Sequence, residues 1–541
     1  MSDKPWLLKY DIGVPSGIEY PQMSVTDLLS RAAKENEEET AIIAGERSVT
    51  YGDLEGMASN LAAHLMRNGV KTGEVVGICL PNSIDFVIAF FAILKCGAVA
   101  AAMNPSFPKR ELKFQVGCTG MKVVVTCPDK VEDFLAIAEE GLPISHLVQS
   151  GNDFAHFESG KTKIANLEEV IKNVPQEFKF PTILETQAAV VQFSGGTTGA
   201  PKAALGSHLN LVANAMQFRH WLVNIGDGET FLVAIPLYHV YGLVLGLILG
   251  VACHAKMVLI EHPGLVDEIL DAIVRYPVSY FPAVPTIFNR INQHPLVVNG
   301  NISLSSIKAC ISGSAPLLES VRREFESNTG GSLVEGYGLS EAPTATHCNP
   351  ILGEKRSGSI GLPLPDVDCK IVNMEDGMTV VDEGEEGELW ISGPQVMMGY
   401  LNNPGESELT LRDGWLRTGD IARMDADGYF YLSGRMKELI KVHGMQVWPT
   451  EVEEVVDQHP AVMECAAAGI PDESSGERVK IWVVLQPGED LSLADVVDFC
   501  QEKLAGYKIP AQLEVRNSLP KTGVGKILRR VLLEEHNQNK R

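Results

Sequence analysis

Apolar positions along the first two thirds of the chain follow two alternating rhythms. Short apolar runs read as strands: TAIIAG from Thr40, VVGICL from Val75, AVAAAMNP from Ala98, TFLVAIPL from Thr230, AKMVLIE from Ala255, PVSYFPAVP from Pro277 and SIKACISGSAPL from Ser306. Between the early ones lie segments with helical spacing, SVTYGDLEGMASNLAAHLMRNG from Ser48 and SIDFVIAFFAILKCG from Ser83. Strands alternating with helices predict βαβ units around a largely buried sheet. Two stretches are apolar enough to raise a membrane reading, FVIAFFAILKCGAVAAA from Phe86 and VYGLVLGLILGVAC from Val240. Lys95 interrupts the first, and the second falls short of the roughly twenty residues a span requires. Both are expected to be buried helices leading into core strands, with no transmembrane segment.

The pattern shifts near residue 366. KIVNMEDGMTVVDEGEEGELWISG and DGWLRTGDIARMDADGYFYLSGR pair apolar alternation with D-G and E-G turns, which predicts a small β-rich lobe over about 366–434. After Arg435 the rhythm changes again: a helix near PTEVEEVVDQHP, strands at MECAAAGI and VKIWVVLQ, a helix from LSLADVVDFCQEKLAG and a final basic helix after PKTGVGKILRR. The fold class expected is therefore α/β. A large N-terminal domain of sheets flanked by helices, residues 1–434 with the β-rich lobe, precedes a small α+β C-terminal domain, residues 435–541.

Composition narrows the field. The 541 residues leave room for three or four lobes, and 45% hydrophobic with 21% charged residues is ordinary for a globular protein. The formal charge of -24, from 69 acidic against 45 basic residues, argues against non-specific nucleic-acid binding. An anionic ligand would need a local cluster of positive charge. MSDKPWLLKYDIGVPSG has no apolar run with a cleavage site, so a cytoplasmic location is expected. The ten cysteines contain no C-x-x-C pair and the histidines no zinc spacing, which predicts buried reduced thiols.

The chemistry begins with FSGGTTGAPKAA, Phe193 to Ala204. Glycines let backbone amides approach an anion, threonines donate hydrogen bonds and a lysine adds a point charge. A Walker A loop is excluded, because Pro201 and Ala203 flank Lys202 where that motif needs glycine and a hydroxyl residue. Four further stretches combine glycine with charge: GYGLSEAPT from Gly336, RTGDIA from Arg417, GRMKELIKVHGMQV from Gly434 and PKTGVGKILRR from Pro520. Singly each has a plain structural reading: a tight turn before a helix, a turn between strands, a solvated amphipathic edge, and a loop before a charged helix.

Together, and in this order, the five motifs resemble those of the adenylate-forming enzymes: acyl-CoA synthetases, coumarate-CoA ligases, firefly luciferase and peptide-synthetase adenylation domains. The resemblance covers nearly the whole chain. WLLKYDIGVP, the FSGGTTGAPKAA loop and PLYHVYG make it most similar to medium- or long-chain fatty-acid CoA ligases. It implies a carboxylate attacking the α-phosphorus of ATP with Mg²⁺ present, followed by displacement of AMP by the thiol of coenzyme A.

By the same resemblance Thr197, Thr198, Gly199 and Lys202 would cradle the β- and γ-phosphates. Tyr337 would lie against adenine, with Gly338 beside it, Ser340 would bond the α-phosphate and Glu341 would hold Mg²⁺. Many relatives have threonine where Ser340 stands, and serine keeps the hydroxyl. Asp420 would accept from the ribose hydroxyls, Arg435 would reach the ribose or phosphate, and Lys526 would bridge the carboxylate and the α-phosphate. Lys437 matches the hinge about which the C-terminal domain turns between half-reactions. Lys441, Gly444 and Gln446 would lie on the coenzyme A side. His239 matches a gating position, with Tyr241, Gly242, Leu245, Ile311, Gly313 and Gly338 around the acyl pocket, and Gly313 with its SGSAP turn would line the adenine pocket as well.

Ile311 stands where the coumarate ligases carry a lysine, and apolar residues follow His239, which favours an aliphatic acid over a hydroxylated ring. A helical core face would give the same run of leucines. The alternatives are an aryl-acid CoA ligase, an adenylate-forming ligase that loads a separate carrier protein, and a non-catalytic nucleotide-binding homologue. The partners implied are a small carboxylic acid, ATP and coenzyme A, with no nucleic acid; the reading leaves room for peripheral membrane contact and for a homodimer.

Overall fold

The computed structural model describes residues 4–151, 162–172, 178–194, 202–262, 264–472, 474–522 and 525–539. The chain folds as two units, one built from residues 1–194, 201–368 and 392–416, the other from 369–391 and 417–541. The boundary expected at 434/435 thus falls inside the second unit.

The first unit holds two sheets. In one, the order is Gly399–Tyr400, Lys202–Ser207, Ala188–Ser194, Val99–Ala102, Val75–Cys79, Val123–Thr126, His146–Gln149 and Lys163–Asn166. From Ala188–Ser194 onward the neighbours are parallel. Strands such as Val99–Ala102 and Val123–Thr126 are buried at every position, as parallel strands covered on both faces must be. In the other sheet Ser332–Leu339, Ala309–Ser312, Tyr280–Ala283, Thr230–Val233, Lys256–Leu259 and Thr40–Ala44 run parallel in that order. Ala342–Cys348 and then Leu362–Pro363 add antiparallel strands at one end, and Arg47–Thr50 adds one at the other.

Both stretches that raised a membrane reading are core helices. Ile84–Lys95 is capped by the Ser83 hydroxyl, which accepts from the Phe86 N–H at 3.1 Å, and all twelve of its residues are buried. An apolar circumference leaves it no solvent face to present. Lys95 ends it by meeting Glu55 at 2.5 Å, which compensates its buried charge. The second stretch is wound as a π-helix over Gly242–Ile248 before becoming α-helical over Leu249–Ala252. No helix among the described residues is long and apolar enough to cross a membrane. All ten cysteines are free thiols, seven of them buried.

In the second unit Asp368–Val372, Gly387–Ser392, Trp415–Met424 and Phe430–Arg435 share one sheet. A further sheet contains Met445–Val447, Ile440–Val442, Gly476–Leu485, Val462–Asp472 and Gln512–Val515, covered by helices Pro449–Val456, Leu493–Gln501 and Arg529–Asn539. His443 and Gly444 turn the short hairpin with φ of 52° and 80°, the positive values a two-residue turn of this kind needs.

Three histidines in the first unit are buried in their neutral form. Burial pushes His146 and His208 down to about 4, and His347 to about 3. A depressed histidine contributes stability that is full above the unfolded value near 6.5 and is lost as pH falls toward the folded value. The cost at pH 4 is about 3 kcal/mol for each of His146 and His208. The urea midpoint is therefore expected to fall between pH 6.5 and 4, and His208→Gln, which keeps an acceptor for the Val25 N–H, to flatten that slope.

Candidate active site

The first unit places Tyr337, Gly338, Ser340 and Glu341 at the end of one sheet, with Gly313 directly after a neighbouring strand. Tyr337 lies near the end of Ser332–Leu339, buried, its ring meeting that of His347 edge-on at 5.8 Å. Ser340 and Glu341 form the turn into Ala342–Cys348, so GYGLSEA is a hairpin corner and not a turn into a helix. Gly338 is required there, since a Cβ would stand 1.7 Å from the Thr344 carbonyl oxygen. Buried Asn214 holds the returning strand, accepting from Thr344 N–H at 2.9 Å and donating to the Ala345 carbonyl at 2.7 Å.

Glu341 is half-buried, and one carboxylate oxygen accepts from the Tyr400 hydroxyl at 2.9 Å. Tyr400 also carries the Lys202 amine over its ring, 5.1 Å from the centroid, while Lys202 pairs with Glu406. Neither Tyr400 nor Glu406 belongs to the five motifs. The stretch GYLNNPGE, with a tyrosine after glycine and an acid at a helix start, was the only signal. Lys202 opens the strand Lys202–Ser207 in register with Ser194, while Thr197, Thr198 and Gly199 lie outside the described residues.

His239 is half-buried, not sealed in the core. Its Nδ1 accepts from the Tyr241 N–H at 3.2 Å, which leaves the proton of the neutral ring on Nε2. Buried Asn82 sets the segment before it, accepting from Leu237 N–H at 2.7 Å and donating to the Ile235 and Ile260 carbonyls. The Tyr241 hydroxyl donates to the Ile311 carbonyl at 2.8 Å and lies 3.1 Å from that of Ala283. Gly313 leaves space for that ring, since a Cβ there would come within 3.1 Å of it. Gly242, Leu245 and Ile311 are buried and apolar.

The second unit gathers the remaining cations and acids. Asp420 is 4% exposed and pairs with Arg435 at 2.9 Å across the antiparallel strands Trp415–Met424 and Phe430–Arg435. RTGD therefore lies within a strand and not in a turn between strands. Its shape is set by buried Glu388, another residue outside the motifs, which accepts from Arg417 at 3.1 Å, Gly419 N–H at 3.2 Å and Trp390 Nε1 at 2.8 Å.

Lys526 sits in a loop closed on itself: its N–H donates to the Thr522 hydroxyl at 3.1 Å and its carbonyl accepts from Thr522 N–H at 2.8 Å. Burial pushes its amine down to about 8, Arg435 acts in the same direction, and Asp420 and Glu438 oppose them. Lys437 is exposed on the turn Met436–Glu438. Lys441 and Gln446 are exposed and directly paired across the hairpin that Gly444 turns, so they share one face.

Among the described residues no three His, Cys, Asp or Glu side chains cluster as a metal cage. Glu341, a hard oxygen donor anchored through one oxygen, fits an ion such as Mg²⁺ that takes one carboxylate and completes its shell with water and phosphate.

Comparison with known proteins assigns the class. Residues 29–401 match the model of the AMP-binding enzyme family and residues 451–526 that of the AMP-binding enzyme C-terminal domain, so the chain belongs to the AMP-binding enzymes. It is 37% identical to a long-chain-fatty-acid–CoA ligase of Bacillus subtilis (strain 168), with 99% of each chain covered. Its fold matches an anthranilate CoA ligase in complex with anthranoyl-AMP at a TM-score of 0.87 and 26% identity, over 96% of this chain and 98% of that one. It likewise matches O-succinylbenzoate coenzyme A synthetase from Bacillus subtilis in complex with ATP and magnesium ion, at 0.82 and 26%, over 95% and 100%.

Glu388→Gln is expected to lower stability by about 2 kcal/mol, the cost of weakening a charged hydrogen-bond hub, as read from a denaturant midpoint.

Proposed function

We propose that the protein is an ATP-dependent fatty-acid–CoA ligase. The single observation that carries the reading is that Lys526 shares the surroundings of Asp420 and Arg435, residues about a hundred positions away in sequence and drawn together inside one unit. The relative from Bacillus subtilis supports the substrate class, and the buried apolar Leu245 and Ile311 favour an aliphatic chain over one with a polar substituent.

The reaction has two displacements. A carboxylate oxygen of the acid attacks the α-phosphorus of ATP, forming a phosphorus–oxygen bond as pyrophosphate leaves. The coenzyme A sulfur then bonds to the acyl carbon as AMP leaves. The first step brings two anions together, so fixed positive charge is the main requirement.

At pH 7 the Lys526 amine is mostly protonated and serves as a cation between the carboxylate and the α-phosphate. Lys202, released from Glu406, would meet the outgoing phosphates. Thr197, Thr198 and Gly199 would complete that cradle. Asp420 would accept from the ribose hydroxyls, Arg435 would flank it, Tyr337 with Gly338 would face adenine and Ser340 the α-phosphate. Glu341, steadied by Tyr400, would hold Mg²⁺, which when bound offsets charge on the phosphate oxygens.

His239, with Tyr241, Gly242 and Gly313, would border the passage for the acid. For the second step the segment after Lys437, bearing Lys441, Gly444 and Gln446, would present the coenzyme A side. Residues after 434 would be the moving part.

The decisive measurement is pyrophosphate release with ATP, Mg²⁺ and acids from acetate through long-chain fatty acids to benzoate and coumarate, each with and without coenzyme A. Turnover is expected to peak with an aliphatic acid and to rise with coenzyme A. A peak with an aromatic acid would establish the aryl ligase, indifference to coenzyme A a carrier-loading enzyme, and no release at all a binding protein.

Lys526→Ala is expected to abolish adenylation while largely sparing thioester formation from supplied acyl-adenylate. In the unaltered protein adenylation should decline as pH rises through about 8, where the amine loses its proton. Tyr400→Phe should raise the KM for MgATP about tenfold by freeing Glu341.

A further inference from the structure

Lys526 does not hold its place unaided. Three residues on, Arg529 begins the last helix, and its guanidinium binds two carboxylates. Its Nη2 donates to both oxygens of Glu453, at 2.9 and 2.6 Å, and its Nε donates to Oε1 of the same carboxylate at 3.1 Å. Its Nη1 donates to Glu438 at 2.8 Å. Side-chain exposure is 13% for Arg529, 9% for Glu438 and 11% for Glu453, so the network is shielded from water.

The three residues belong to separate segments. Glu453 lies on Pro449–Val456 and is itself fixed by accepting from the Ala467 N–H at 2.6 Å. Glu438 closes the turn Met436–Glu438, directly after Lys437. Its second oxygen, Oε1, is buried with no hydrogen-bond partner among the described residues, so the charge of Glu438 is only half committed to Arg529. Arg529 follows the loop whose ends are tied by the Leu528 N–H to the Pro520 carbonyl and by the bridge of Lys521 with Ile527. Such a buried planar fork suits arginine and not lysine, because it satisfies two carboxylates in fixed directions at once.

We propose that Arg529 is a positioning residue for adenylation: by clamping Glu453 and Glu438 together, it fixes the root of the Lys526 loop to the turn at Lys437, so that the lysine and the turn move as one body. The inference rests on the ligase reading above and deepens it. Without the clamp the loop would stay attached to the chain, but Lys526 would lose its fixed distance from the turn. Misplacement by about 1 Å is enough to cost about a hundredfold in a step that depends on orientation. Thioester formation, which does not use Lys526 in this reading, would be little affected.

The charges around Lys526 supply a readout that a merely structural role would not move. Arg435 and Arg529 disfavour its protonated form, whereas Asp420 and Glu438 favour it. Arg529→Gln removes a cation and leaves Glu438 unneutralised, so the alkaline limb of adenylation should move to higher pH. Glu438→Gln removes an anion, so the same limb should move to lower pH.

The test uses the full chain as wild type, Arg529→Gln, Arg529→Lys and Glu438→Gln, with three readouts: acid-dependent ATP–pyrophosphate exchange across pH, thioester formation from supplied acyl-adenylate and coenzyme A, and the melting temperature. The result expected is an exchange rate for Arg529→Gln lowered about a hundredfold with thioester formation within a few-fold of wild type. Arg529→Lys should recover little of the exchange, and the two alkaline limbs should move in opposite directions. Equal loss of both half-reactions in step with a lowered melting temperature would overturn the proposal, as would unchanged exchange. If Arg529→Gln does not fold, Glu438→Gln decides alone: an unmoved limb overturns the proposal. A wild type that releases no pyrophosphate with any acid overturns the ligase reading and this inference with it, whereas an active wild type with unaffected variants overturns only the inference.

Discussion

A chain with a formal charge of -24 surrounds its cations with acids, and within each unit it sets several of the less exposed ones directly against a carboxylate. Lys202 pairs with Glu406, Arg435 with Asp420, Arg417 with Glu388, and Arg529 with Glu438 and Glu453. Burying a cation is costly, and such a partner offsets that cost. The pairs also give direction, since each holds a side chain in one orientation before any ligand arrives. That advance ordering is what lets fixed charge act on charge that develops during a reaction.

Lys526 differs from this group. No carboxylate holds it in a direct ion pair among those described, and its amine is pushed down to about 8 by burial with Arg435 beside it. A cation poised near its own titration point, in a loop anchored at the root, suits a group that is needed in one half-reaction and withdrawn in the other. The anchoring at Arg529 and the lowered titration point of the amine are two sides of one arrangement, because Glu438, which binds Arg529, also favours the protonated lysine.

The scaffold explains why the remaining groups can be so narrowly placed. The hairpin of Tyr337, Ser340 and Glu341 grows from the end of a parallel sheet whose core strands are buried on both faces, and buried Asn214 and Asn82 fix the chain where it leaves that sheet. Amide side chains suit this work, since each can accept from one backbone segment and donate to another. They carry no charge, so they add nothing to a neighbourhood whose electrostatics matter.

Local pattern alone made many of the strands and helices legible. Runs such as VVGICL and the helix from Ser83 are long and apolar enough to admit one structure, and the hairpins around D-G turns follow from backbone freedom at glycine. The five glycine-and-charge motifs were equally legible, because the residue types that bind phosphate differ from those that fill a core. What the tertiary structure decided was pairing. Nothing in GYLNNPGE says that Tyr400 will hold Glu341, nothing in GELW that Glu388 will organise RTGD, and nothing in ILRR that Arg529 will bind Glu438 and Glu453. Ion pairs and buried hydrogen bonds depend on which side chains meet across sequence separations of tens of residues, and local pattern carries no information about that meeting.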